Sequence, residues 1–148
     1  MQYTSFVDVH ILLARDNGEI LLARRADTGF ADTLWNLPSG KLEEGEDLET
    51  AVIRETYEEV GVSLERDDVE LVTTVHILPS NGSGARIGFF FRATAWPGEP
   101  HNAEPHKCSE IGWFPAGELP ADMVPYSRAG IRQWIDGKPL GLLGWPRQ

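Results

Sequence analysis

Between Gly40 and Val62 the chain reads GKLEEGEDLETAVIRETYEEVGV, and no other stretch narrows its possible folds as far. A glycine-bounded loop runs into a segment that sets Glu55, Glu58 and Glu59 one helical turn apart behind Arg54. On a helix these three carboxylates fall within about 100° of circumference. Ile53, Thr56, Tyr57 and Val60, at i, i+3, i+4 and i+7, form an opposite stripe that is predicted to face a core. Like charges at i,i+3 and i,i+4 cost a few tenths of a kcal/mol each, so the cluster is unfavourable unless a positive charge sits in it. A hard cation with oxygen ligands meets that need.

The flanks of this helix are marked too. Asp47 is placed to cap its start, Glu49 suits the first turn, and Gly61 is a natural left-handed stop. Upstream, Phe6 to Arg15 and Ile20 to Arg25 alternate as strands around Asn17-Gly18, a hairpin signal. Leu34 to Leu37 is predicted as a short strand stopped by Pro38. Downstream, Val69 to Leu78 and Arg86 to Ala95 predict a second hairpin across a Pro/Asn/Gly/Ser loop. A long irregular connection, Trp96 to Ser109, leads to a strand at Ile111 to Phe114. A closing helix follows at Ser127 to Ile135, with Ile131, Trp134 and Ile135 facing inward.

At 148 residues and 41% hydrophobic, the chain is predicted to form one domain spanning 1–148. A single cysteine, Cys108, excludes an intramolecular disulfide, no secretion-like leader is seen, and the apolar runs are too short to span a bilayer, so a cytoplasmic protein is expected. Of the net charge of −10, Glu43 to Glu70 carry twelve acids against two arginines, leaving 11 acids and 11 bases elsewhere. One face so negative repels nucleic-acid polymers and anionic membranes; a small phosphate ligand would need metal to approach it. Monomer and homodimer are both compatible with the composition.

The pattern Gly40, five residues, Glu46, seven residues, Arg54-Glu55, two residues, Glu58-Glu59, one residue, Gly61-Val62 resembles the signature of the Nudix hydrolases. Only Thr56, where an aliphatic residue is usual, departs from it. The resemblance implies an α/β (α+β) fold, an α/β/α sandwich around a mixed sheet, and hydrolysis assisted by Mg²⁺, with Mn²⁺ as the other ion that fits. It assigns Glu58 and Glu59 as metal ligands together with the backbone carbonyl of Ser39. Glu55 becomes a further ligand or a base, Arg54 an orienting group, and Glu46 a support for loop and helix. Family members also recruit a glutamate from the loop before Trp113. Here Glu104 and Glu110 compete, and Glu110 is favoured because it lies beside a strand.

For the rest of the substrate, Phe30 to Lys41 resembles the nucleotide-sanitising branch and implies Phe30 and Asn36 as base contacts, with Lys41 also placed at the substrate. The Glu104-Pro105-His106-Lys107-Cys108 segment adds Lys107 as a phosphate contact. Val124, Tyr126 and Ser127 after Met123 replace the Trp and paired Asp of human-type oxidised-purine hydrolases, which points away from an oxidised purine. His10 and His76 read as strand residues, His101 and His106 as loop residues without partners, and Cys108 lacks the His–Asn arrangement of a thiol nucleophile.

The expected activity is hydrolysis of a nucleoside diphosphate derivative, foremost a (deoxy)nucleoside triphosphate to monophosphate and pyrophosphate. The alternatives are an ADP-ribose or sugar-nucleotide pyrophosphatase, a non-catalytic nucleotide-sensing module, and an acidic helix that serves only to dock protein.

Overall fold

Six of the eight residues of the first strand, β1 (Phe6–Leu13), are buried, so it lies inside the molecule with apolar side chains on both faces. A computed structural model describes residues 1–146. β1 pairs in parallel with β6 (Arg86–Ala93) and antiparallel with the short β4 (Ser39–Lys41). Beyond β6 lie β5 (Glu70–Ile77), antiparallel, and β8 (Leu140–Leu143), parallel to β5, giving the mixed order β4-β1-β6-β5-β8. A second sheet, β3-β2-β7, joins β3 (Trp35–Asn36), β2 (Glu19–Arg25) and β7 (Cys108–Pro115) in antiparallel pairs.

Helix α1 (Leu48–Val60) covers one side with Val9, Ile11, Leu13, Leu21 and Phe91 beneath it. Helix α2 (Pro125–Ile135) covers the other, over Leu12, Leu22, Val75 and Phe90. The result is the expected mixed α/β arrangement with a helix on each side.

The Asn17-Gly18 turn forms, but the expected hairpin does not extend from it. Past a single bridge, Ala14 to Ile20, β1 and β2 part into different sheets. Both strands are apolar on two faces, and pairing only with each other would leave each one edge short of a core. The β5–β6 hairpin forms as expected, whereas β4 and β8 carry no sequence signal strong enough to announce them.

The caps of α1 hold as read. The Asp47 side chain accepts from the Thr50 amide at 2.8 Å, and Gly61 ends the helix at φ 70°. Its buried face is not the expected one. Ala51, Val52, Thr56 and Val60 are buried, Ile53 is partly covered, and Tyr57 is 60% exposed. The core stripe runs Val52, Thr56, Val60 because Ala51 and Val52 sit flush on the sheet, while the bulk and hydroxyl of Tyr57 are better accommodated outside. Thr56 tolerates burial by donating to the Val52 carbonyl at 2.7 Å. In α2, Ile131 is buried as expected and Trp134 partly so, but Ile135 is 51% exposed.

Candidate metal centre

Rotation of the core stripe onto Val52, Thr56 and Val60 carries Glu55 and Glu59 toward the sheets rather than away from them. Glu55 lies against β4 at Gly40, where a Cβ would overlap the Glu55 carboxyl group and push it aside. Glu59 goes deeper, and its Oε2 is buried without a hydrogen-bond partner. Desolvation raises its pKa well above the ordinary carboxylate value. The charges of Glu55 and Glu104 push the same way, and the Ser39 backbone amide and the charge of Arg25 offset this in part. Glu55 is raised as well, chiefly by burial, against the pull of Arg54.

Arg54 organises the acids that remain. Its Nε and Nη2 donate to the two oxygens of Glu46 at 2.6 and 2.9 Å. Nη1 donates to Glu55 at 2.8 Å and Glu58 at 3.2 Å, and Nη2 also donates to the Lys41 carbonyl at 3.3 Å. Such a bidentate fork fixes direction as well as charge. Glu46, held this way and accepting from the Glu43 amide, supports loop and helix as expected, and its carboxyl is held below the usual range.

The edge of β4 faces these side chains with its backbone. Ile11 donates to the Pro38 carbonyl and Leu42 to the Val7 carbonyl. By the alternation of an antiparallel ladder, Ser39 and Lys41 therefore turn their N–H and C=O groups outward from β1. The Arg54 bond to the Lys41 carbonyl confirms the direction. The Ser39 carbonyl thus lies on the edge that Glu59 approaches, where the resemblance assigned a metal ligand.

Two backbone bonds then fasten the connection after β6 to the end of α1: His101 donates to Val60 at 3.0 Å and Ala103 to Glu59 at 3.1 Å. The next residue is Glu104, whose charge acts on both Glu55 and Glu59. Glu110 sits elsewhere. It pairs with Arg24 in the β2–β7 ladder, and side chains paired in an antiparallel ladder share a face. Arg24 turns over Trp35 and bonds Asp122, on the α2 side, whereas Ile111 and Trp113 pack with the α1 cluster. The structure therefore brings Glu104, rather than the favoured Glu110, up to Glu55 and Glu59. Alternation in Glu110-Ile111-Gly112-Trp113 carried that information in the sequence.

Of the expected substrate contacts, Asn36 is buried in β3 opposite Ala23, which also faces Ile111, so its amide lies on the α1 side. Phe30 is 61% exposed on the loop before β3, with Arg25 over its ring and bonded to its carbonyl at 2.8 Å. Lys41 pairs with Asp8, one residue out of phase with Gly40, so its side chain occupies the opposite face of β4 from Glu55. Lys107 is exposed, its Nζ 3.9 Å from Glu104. Arg25, not foreseen, bonds Phe30 and Thr28 with its guanidinium, and its charge partly offsets the rise at Glu59.

Among the described residues, no three His, Cys, Asp or Glu side chains converge at metal-ligand spacing, and Glu58 is bonded to Arg54. The donor set nonetheless suits a hard divalent cation: all-oxygen, acidic, and with one buried carboxylate oxygen lacking a partner. Carboxylates gathered by an arginine at the edge of a backbone carbonyl are a set that could hold such a cation.

The comparisons agree with this reading. The NUDIX domain family model matches residues 4–135. A MutT-like protein of Streptomyces ambofaciens is 43% identical over 131 residues, covering 88% of this chain and 77% of its own. An RNA pyrophosphohydrolase of Novosphingobium aromaticivorans is 30% identical over 150 residues, covering 86% and 88%. The crystal structure of a MutT NUDIX hydrolase from Burkholderia pseudomallei superposes with a TM-score of 0.79 at 31% identity, over 88% of this chain and 98% of that one. The chain belongs to the Nudix hydrolase family. It is a Nudix pyrophosphohydrolase acting on a derivative of a nucleoside diphosphate, in a family that uses divalent metal ions.

Proposed function

We propose that this enzyme is a Mg²⁺-dependent pyrophosphohydrolase of (deoxy)nucleoside triphosphates, releasing the monophosphate and pyrophosphate. Glu58, Glu59 and the Ser39 carbonyl would hold the metal, with Glu55 and Glu104 completing the acidic set. The observation carrying this reading is the buried, unpartnered Glu59 oxygen beside two further carboxylates and a strand-edge carbonyl. An ionised carboxylate in that position is costly unless a cation joins it.

A bound Mg²⁺ supplies neutralisation of phosphate oxygens and a water of lowered pKa. The protein supplies orientation. Arg54 holds Glu55 and Glu46 in fixed rotamers, so the ligand set is not reorganised at each turnover. Glu55, held by Arg54 beside the other carboxylates, is the group suited to take a proton from the attacking water. Arg25, on the Glu59 side of β2, is placed to meet a phosphate that displaces it from Phe30 and Thr28. Asn36 reads the base and Phe30 covers it.

A second reading takes its substrate from the RNA pyrophosphohydrolase relative, since a 5′-triphosphate end offers the same anhydride. The net charge of −10 opposes a polymer. A sensing module without turnover is disfavoured by the intact Glu55, Glu58 and Glu59. The test is a panel of NTPs, dNTPs, ADP-ribose and a 5′-triphosphorylated oligoribonucleotide incubated with Mg²⁺, with products resolved by chromatography. Monophosphate plus pyrophosphate from a free nucleotide is expected. Turnover confined to ADP-ribose or the oligoribonucleotide would replace the proposed substrate, and release of orthophosphate alone would overturn the reaction.

A further inference from the structure

The β3–β4 segment that carries Ser39 is short: two strand residues, Pro38, then three more. Its side toward β2 is paired only at Trp35 and Asn36. On its other side β1 holds Pro38 to Lys41, and the entry to α2 holds Trp35 and Leu37. The Trp35 amide donates to Asp122 at 2.9 Å, and the Val124 amide donates back to Trp35 at 2.8 Å. One turn into the helix, the hydroxyl of Ser127, which is 1% exposed, accepts from the Leu37 amide at 3.1 Å. Leu37 is itself fully buried, so this hydroxyl is the partner its N–H has in place of water.

The aim of that hydroxyl is fixed from a second direction. The neighbouring Tyr126 donates to Asp8 at 3.0 Å, and Asp8 is gripped by Arg86 through bonds of 2.8 and 2.7 Å. The first turn of α2 is thus tied to β1 by Tyr126 and to the β3–β4 turn by Ser127. Leu37 stands two residues before Ser39, and only Pro38, with its fixed φ, separates them. The Ile11 amide holds the Pro38 carbonyl at 3.0 Å from the β1 side, so the approach of the chain to Ser39 is set jointly by Ser127 at Leu37 and by β1 at Pro38.

We propose that Ser127 is a positioning residue of the metal centre: from α2, on the far side of the sheet from the acidic helix, its hydroxyl, jointly with β1 at Pro38, sets the direction of the Ser39 carbonyl through Leu37. This rests on the reading of Ser39 as a metal ligand. Groups that orient ligands without touching the ion change metal affinity by tenfold or more when removed. A hydroxyl that merely stabilised α2 would lower the melting temperature and leave affinity alone.

The test is direct binding of Mn²⁺, without nucleotide, followed by the electron paramagnetic resonance signal of the free ion. It uses wild type, Ser127→Ala, Ser127→Cys, Glu59→Gln and Ile131→Val, with melting in EDTA as the measure of fold. Ser127→Ala is expected to bind Mn²⁺ on the order of tenfold more weakly. The nearly isosteric Ser127→Cys, a weak acceptor, should fall between, and Ile131→Val, which loosens α2 elsewhere, should bind as wild type does. If Ser127→Ala does not fold, Ser127→Cys against Ile131→Val carries the comparison. Wild-type affinity in folded Ser127 variants, or equal weakening in Ile131→Val, overturns the proposal. If Glu59→Gln also leaves Mn²⁺ binding unchanged, it is the metal-site reading that has failed.

Discussion

Glu59→Gln separates stability from function because the same burial that prepares Glu59 for metal costs the protein when no metal is present. In the metal-free enzyme the carboxylate is desolvated, its Oε2 has no partner, and Glu55 and Glu104 add repulsion. A buried polar group left unpaired costs about 1–3 kcal/mol. The glutamine amide keeps the shape, removes the charge and still leaves a polar atom inside, so we expect it to recover about 1–2 kcal/mol. For a chain of this size that corresponds to a rise of roughly 2–6 °C in Tm. The assay is thermal unfolding in EDTA and again with Mg²⁺ or Mn²⁺. The variant should melt above wild type in EDTA, gain little from metal, and turn over orders of magnitude more slowly. A variant that melts below wild type in EDTA, or is stabilised by metal as strongly as wild type, would refute the reasoning.

The pH profile of the metal-free protein has two opposing parts. Glu59 is raised in the folded state, so its contribution is complete below about pH 4.5 and is lost as pH climbs through the raised value. His10, stacked on Phe90 with both ring nitrogens unpartnered, is lowered by burial to about 4, so stability is lost as pH falls from about 6.5 toward 4. Glu59→Gln should shrink the alkaline decline, with Glu55 keeping a smaller part, and leave the acid one, as urea midpoints from pH 4 to 8 would show; an undiminished decline assigns it to another group. Gly40→Ala should displace the Glu55 carboxyl and cut kcat at least tenfold with the fold kept, checked by circular dichroism beside turnover. Val52→Ala should cost about 1–3 kcal/mol in denaturant unfolding and Tyr57→Ala less than about 0.5, the order set by their burial. Asn36→Ala should weaken kcat/KM by roughly 1–3 kcal/mol for the preferred nucleotide and much less for a poor one. Equal loss across nucleotides would make Asn36 a support for its strand.

The acidic helix α1 is legible because its signals are local: cap, acidic spacing and terminal glycine all lie within one stretch, from Asp47 to Gly61. What failed to read was set by distant partners. Tyr57 and Ile53 fit a 3.6-residue stripe as well as Ala51 and Val52 do, and only the sheet decides which stripe is buried. β4 and β8 are three and four residues long and take their strand character from β1 and β5. The departure of β2 from β1 after one bridge has the same origin. At the site, the Trp96 to Ser109 connection reads as irregular, which favours Glu110 beside a strand over Glu104, yet two backbone bonds to the end of α1 hold Glu104 more firmly than its own sequence suggests.

The central claim is that divalent metal binds between the end of α1 and the edge of β4. A crystal of the enzyme grown with Mn²⁺ and a non-hydrolysable nucleoside triphosphate analogue tests it through the anomalous signal of the ion. The account expects Mn²⁺ in contact with Glu59, Glu58 and the Ser39 carbonyl, with Glu58 turned away from Arg54 and a triphosphate oxygen completing the shell. Manganese bound to the triphosphate alone, or to other acids with Glu59 still unpartnered, would contradict it.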